Sequence, residues 1–248
     1  MDASLYQAAA AMNASSRWQE VISDNLASGH IPGFKKQALS FSAVQAGFMT
    51  GASRAAAKHA AMPLAGTTTN SQPGELHSTG VPTDLAIEGS GFFEVQMPDG
   101  KRGYTRDGEF RLNTKGQLTT NNGFPVMGQG GPLQFDPNNP APITIASTGE
   151  ASQGAEQKGR LKLTEFNKPA ALASSGTGLF IDTDLSAQPH AASTSTVHQG
   201  FLENANTSSV TEMANLITSM RFFEANQKVI QTEDDRVGRL ITEVANPA

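Results

Sequence analysis

The residues able to do chemistry are spread along this chain rather than gathered. Histidine occurs five times, at His30, His59, His77, His190 and His198, and no two form the i, i+4 pair from which a helix builds a zinc site. Solvated loop histidines are the expectation. Asp182 and Asp184 flank Thr183, so an extended backbone puts both carboxylates on one face. That is half of the acid and base pair a glycosidase needs, yet nothing around it extends the motif, and a solvated face is expected. Gly89-Ser90-Gly91 lacks the third glycine of a dinucleotide fingerprint and runs into an apparent strand, so it reads as a tight turn. DPNNP (136–140) offers calcium-like oxygens but not the central Gly and terminal Glu of an EF-hand, and reads as an Asx-rich turn. No catalytic, cofactor or metal site is expected.

Composition points the same way. The 248 residues are 38% hydrophobic and 6% aromatic, low for one compact globule, so part of the chain must complete its packing with partners. The formal charge is −5, from 18 basic and 23 acidic residues. No basic run exceeds two adjacent residues, which leaves no phosphate-backbone footprint and no expectation of nucleic acid. Cysteine is absent, which excludes disulfides, thiolate metal sites and thiol nucleophiles. The N-terminus lacks the pattern of a cleaved signal, and no apolar run approaches the roughly 18 residues of a membrane span.

The elements that must position these residues follow from periodicity. Residues 1–34 read as a helix and a turn: alternating steps of three and four from Leu5 pass Met12, Ile22 and Leu26, a thin seam, and Pro32 and Gly33 then end it. Residues 35–82 read as an extended linker, with 46–62 either a short helix or an Ala-rich loop. Over 83–203 the period becomes two. DLAIE, GFFEVQM, GYTRDGEFRLN, GQLTT, FPVMG, PITIAS, RLKLTEF and GLFIDT are short strands punctuated by Gly, Pro, Asn and Asp, an all-β domain. Asp99-Gly100, Asp107-Gly108 and Asn122-Gly123 each supply a turn residue tolerant of positive φ. Residues 204–248 hold the strongest pattern: Met213, Leu216, Met220, Phe223, Ile230, Val237 and Ile241 step along one long helix, interrupted by Gln227 and Asp234. Either those two are buried polar seam positions, or the helix is rotated so that they face water. The expected fold class is mixed α and β: long terminal helices in a coiled-coil-like hairpin, with an all-β domain and a linker inserted between its legs.

NLASGHIPGFK (25–35) resembles the N-terminal signature of the flagellar axial proteins of rod and hook. Asn25, Leu26, Ala27, Pro32, Gly33, Phe34 and Lys35 carry the match, while Ser28 and Ile31 stand where Asn and Thr are usual. DLAIEGSGFFEV (84–95) with YTRDGEFRLNTKGQL (104–118) is similar to that family's β-domain motif, through Asp84, Gly89, Gly91, Phe92, Tyr104, Thr105, Arg106, Gly108 and Phe110. GFPVMGQGGPL (123–133) continues it. GFLENANTSSVTEMANLITSMRFFEANQKVIQ (200–231) resembles its C-terminal block.

The resemblance implies a structural subunit of the bacterial flagellar basal-body rod. Such a subunit assembles helically with copies of itself and with neighbouring rod proteins, transmits torque across the periplasm, and is exported by the flagellar type III apparatus without a cleaved signal. It implies no enzyme activity and no small-molecule substrate. Among members, the chain looks most like the proximal rod protein that adjoins the distal rod, with the distal rod or a hook-type protein as the alternative. In that setting the terminal helices form the inner layer, and the break at 28–34 releases the chain toward the β domain. A periplasmic glycan-binding or peptidoglycan-active β protein is the remaining reading. It would require paired carboxylates and aromatic platforms, and the chain has one Trp and two Tyr. A secreted adhesin or carrier would leave the two terminal seams unexplained.

Overall fold

The computed structural model describes residues 3–45, 61–176, 178–182 and 186–245. The chain divides into two compact units: one of residues 1–26, 37–68 and 208–248, the other of residues 27–36 and 69–207. The alternatives weighed for 46–62 lie almost wholly outside the described residues.

The first unit holds helix α1 (Ala3–Ala27), the paired strands β1 (Gln37–Gln45) and β2 (Ala61–Thr69), and helix α2 (Ser209–Ala245). The linker stretch thus contains a two-stranded ribbon, in which Ser40 Oγ donates to the Gly66 carbonyl at 3.1 Å. Asn25 ties the end of α1 to the start of this ribbon. Its amide accepts from Gln37 N–H and donates to Gln37 C=O, each at 2.8 Å, as a neighbouring strand would.

The coiled-coil hairpin expected from the sequence does not form. A coiled coil buries its seam, but Met213, Met220, Val237 and Ile241 are 53%, 49%, 40% and 63% exposed. Among the described residues of α2, Glu212 and Ser219 are the buried ones, with Leu216, Phe223 and Ile230 half-buried beside them. The buried stripe therefore alternates apolar with polar positions, and the helix is turned toward 212 and 219. The facing surface explains why. The buried residues of α1 include Ala8, Ala14 and Ser15, and over such small side chains the helices meet through Ser219, whose hydroxyl donates to the Ser15 carbonyl at 3.3 Å. Beside this contact, Trp18 and Phe222 lie with ring centroids 6.3 Å apart. With α2 37 residues long and α1 25, the second helix also outruns its partner. Gln227 and Asp234 face solvent. The mixed α and β class itself stands.

The second unit is β-rich. Strands β3 (Leu76–Ser78), β4 (Leu85–Glu88), β5 (Phe92–Gln96) and β6 (Arg102–Thr105) open it. A six-stranded antiparallel sheet runs 173–174, 179–181, β6, β5, 163–166, 189–191. Strand alternation divides its side chains. Phe93 and Val95 enter a core with Leu85, Ile87, Phe110, Leu118 and Val126, while Phe92 joins Tyr104, Phe166 and Phe180 in a second one. The last strands of the unit return to its start: 196–199 pairs with β4, and 201–203 with β3.

The turn at Asp107-Gly108 departs from expectation. Gly108 is not in the positive-φ set. A Cβ there would lie 1.6 Å from the Leu85 carbonyl oxygen, so glycine is required by close approach of β4 rather than by backbone handedness.

Candidate functional site

Three of the quoted motifs converge on one buried ion cluster in the β-rich unit. The turn after α1 is held by Ile31 N–H on the Ser28 carbonyl at 3.0 Å and Gly33 N–H on the Glu203 carbonyl at 2.6 Å. Gly33 has φ +67, and a Cβ there would sit 2.3 Å from the Arg106 carbonyl, so only glycine fits. The turn delivers Lys35 inward. Its ammonium donates to the Gln72 carbonyl at 2.9 Å and to Glu203 Oε1. The same oxygen accepts Gly74 N–H at 2.7 Å. Glu203 Oε2 accepts Arg106 Nη1 at 3.2 Å. Arg106 also donates to the carbonyls of Ile87 and Gly89 and lies 5.0 Å from the centre of the Phe92 ring.

Side chains of all three ions are no more than 2% exposed. Two cations face one anion, and the surplus charge rests on three carbonyls and an aromatic face. Burial pulls the Lys35 ammonium below its ordinary value, and the Glu203 carboxylate opposes that. Burial lowers Arg106 as well, again against Glu203. Such a cluster fixes geometry more than it adds stability, because desolvation offsets most of the attraction. Asn206 adds a second tie: it accepts Lys36 N–H at 2.7 Å and donates to the carbonyls of Asn70 and Gln72 at 2.8 and 2.9 Å.

The other motif residues are placed as follows. Phe34 is buried, Leu26 and Pro32 half-buried, and Ala27 exposed. Asp84 accepts the Thr79 hydroxyl at 2.6 Å, Gly91 N–H donates to Ser195 Oγ at 2.9 Å, and Thr105 donates to the Gly178 carbonyl at 2.9 Å. Of the helix residues, Ile22 is buried and Met12 half-buried. The Leu5 side chain lies outside the described residues.

Among the described residues, one grouping invites comparison with a catalytic triad. Ser195, Glu165 and His190 come together, but in the wrong order for acyl transfer. The Ser195 hydroxyl donates to Glu165 Oε1 at 2.8 Å, and His190 sits 3.5 Å from the other carboxylate oxygen, so the imidazole is not the serine's base. Desolvation raises the Glu165 carboxyl, but hydrogen bonds from Ser195 and Thr194, with the nearby His190, together bring it below its usual range. Among the described residues no group of three or more His, Cys, Asp or Glu could hold a metal. His198 pairs with Glu88 at 2.8 Å, and His59 and Asp184 lie outside the described residues. DPNNP is the expected Asx turn, with Asp136 Oδ1 accepting Asn138 N–H at 2.9 Å.

Asp107 titrates unusually. Burial pushes its carboxyl up to about 6, helped by the Glu109 and Asp84 carboxylates and opposed by the Glu109 N–H it accepts. A raised folded value means that the folded state holds the proton more tightly. Its contribution is complete below the unfolded value of 3.8 and is lost as pH rises through the folded one. Asp107→Asn keeps the acceptor oxygen and removes the charge. Urea titrations between pH of about 4 and 7 should show a decline in stability for the native chain that the variant lacks; equal slopes would contradict the assignment.

Sequence reasoning left Glu203 and Asn206 out of the candidate residues, although both stand in the quoted block GFLENAN. The signal available for them was the family pattern Gly-x-x-Glu-x-Ala-Asn, which runs from Gly200 to Asn206.

Two family profiles match the chain. That of the flagellar hook protein FlgE/F/G D1 domain covers residues 86–153, and that of the flagellar basal body rod FlgEFG protein C-terminal region covers 198–243. The flagellar basal-body rod protein FlgF of Escherichia coli is 33% identical over 96% of this chain and 97% of its own length. FlgG of Borreliella burgdorferi is 31% identical over 94% and 96%. FlgG of Buchnera aphidicola subsp. Acyrthosiphon pisum is 39% identical over 67% of each.

Proposed function

The chain belongs to the flagellar basal-body rod protein family, and from that premise we propose how it works as a structural subunit of the rod. The observation that carries the mechanism is the solvent-facing apolar ladder at the start of α2. Val210, Met213, Ile217 and Met220 are 79%, 53%, 56% and 49% exposed and follow a 3-4-3 spacing, so they line one stripe of the helix. In a monomer this stripe is wet. In a polymer it is buried against helices of neighbouring copies, and contacts of this heterologous kind propagate into a filament instead of closing. The β-rich unit, braced by the Lys35–Glu203–Arg106 cluster, supplies stiff lateral contacts through which torque passes. Neighbours would be further copies and other rod proteins, delivered by the flagellar type III export apparatus. The position favoured is the proximal rod beside the distal rod, on the resemblance of PVMGQGGPL (125–133) and RFFEANQKVIQTEDD (221–235) to that member.

Deleting the gene and purifying basal bodies tests this. The expected result is loss of swimming with rods absent or truncated, and the truncation point reports the position along the rod. Complete rods in motile cells would overturn the reading.

A further inference from the structure

The β-rich unit carries an open cleft of about 740 Å³, lined by none of the three cluster ions. At its floor is Glu94, 2% exposed, turned to this face by the alternation that sends Phe93 and Val95 into the core. Lys162 Nζ and Arg102 Nε lie 3.0 and 3.5 Å from the same oxygen, Oε1, and the Thr164 hydroxyl donates to Oε2 at 3.4 Å. One carboxylate therefore serves two cations. Arg160 lines the same cleft, and the hydrogen bond of its Nε goes to a carbonyl, that of Thr148, at 2.9 Å. Glu94 is the one carboxylate among the lining residues, against three permanent cations. A chain of net charge −5 thus concentrates positive charge in one concave place, where low-dielectric walls strengthen it. Much of the remaining lining is hydroxyl and amide, including Gln129, Ser147, Ser193 and Thr196.

We propose that this cleft binds an acidic saccharide. Its carboxylate or phosphate is taken by the Arg160 fork with Arg102 and Lys162, and its hydroxyls by the polar wall. Of the apolar residues at the cleft, Tyr104 and Leu161 are buried, Leu163 and Ala192 half-buried, and Pro189 and Ala191 exposed. The hydroxyl and amide wall beside the three cations is what favours a polyhydroxyl chain over an acidic peptide. The proposal stands on this geometry alone and does not depend on assembly into a rod.

Titration calorimetry of the full chain tests it with four probes: oligogalacturonate, a neutral maltooligosaccharide of equal length, oligoglutamate and inorganic phosphate. Oligogalacturonate should bind, with affinity falling about tenfold in Arg160→Gln and further in Arg160→Gln/Lys162→Gln, and falling as salt rises. The unfolding midpoint of Arg160→Gln should match the native chain, since the lost partner is one surface carbonyl. Equal binding of the neutral saccharide, tighter binding of oligoglutamate, phosphate binding as well as the saccharide, or no heat with any probe would each overturn the proposal.

Discussion

Glu203→Gln lowers the unfolding free energy of the β-rich unit by roughly 3–5 kcal/mol, the cost of leaving buried charges without their counter-ion. Lys35 and Arg106 are each buried, and Glu203 is the carboxylate that both touch. The glutamine amide brings a donor to a place where Lys35, Gly74 and Arg106 all donate. A domain has about 5–15 kcal/mol in total, so the variant sits near the edge of folding. Equilibrium urea unfolding by far-ultraviolet circular dichroism reads the loss. Lys35→Met in the Glu203→Gln background removes one stranded cation and should restore part of the stability, a coupling a double-mutant cycle measures. If Glu203→Gln loses less than about 1 kcal/mol, within the usual range of unremarkable substitutions, the cluster does not hold the unit together.

Met213→Asp/Met220→Asp has the larger effect on function. Both side chains are about half exposed, so two carboxylates there leave the isolated subunit's unfolding midpoint nearly unchanged, as surface changes do. In a polymer the same carboxylates would be desolvated without partners, at several kcal/mol for each contact. Incorporation should fail and swimming with it. Phe223→Asp is the contrast. Phe223 is half-buried on the inward stripe, so this variant should lose stability and incorporation together. Normal motility of the double aspartate variant would remove the exposed stripe from the assembly mechanism.

Much of this architecture is legible in the residues. The expected strands of 84–181 each contain an observed one because their alternation is strong: Phe93, Val95, Phe110, Leu118 and Val126 all point into one core. The strands without a sequence signal of their own are polar. EASQ (150–153) and EQKGR (156–160) pair as a hairpin with no apolar period to reveal them, and 196–203 lies inside the expected β domain without an individual strand assigned to it, although it closes on β4 and β3. The rotation of α2, with Gln227 and Asp234 in solvent, was one of two readings that the sequence left open. Counting apolar steps cannot tell which of two stripes turns inward when the facing helix offers Ala and Ser. The ion cluster was half visible: Lys35 and Arg106 stood in recognised motifs, but their convergence on Glu203, 168 residues from Lys35, is a property of the fold alone.

In an assembled rod the exposed stripe of α2 should be buried between subunits. The absence of native cysteine makes one measurement clean: Met220→Cys in cells, with purified basal bodies treated with a short bifunctional thiol reagent. Assembled rods should yield crosslinked dimers, the most that one thiol per subunit allows, and the dilute monomer none, with protection of the thiol from a bulky maleimide after assembly. A thiol that stays fully reactive in intact rods, with no crosslinked product, would contradict it.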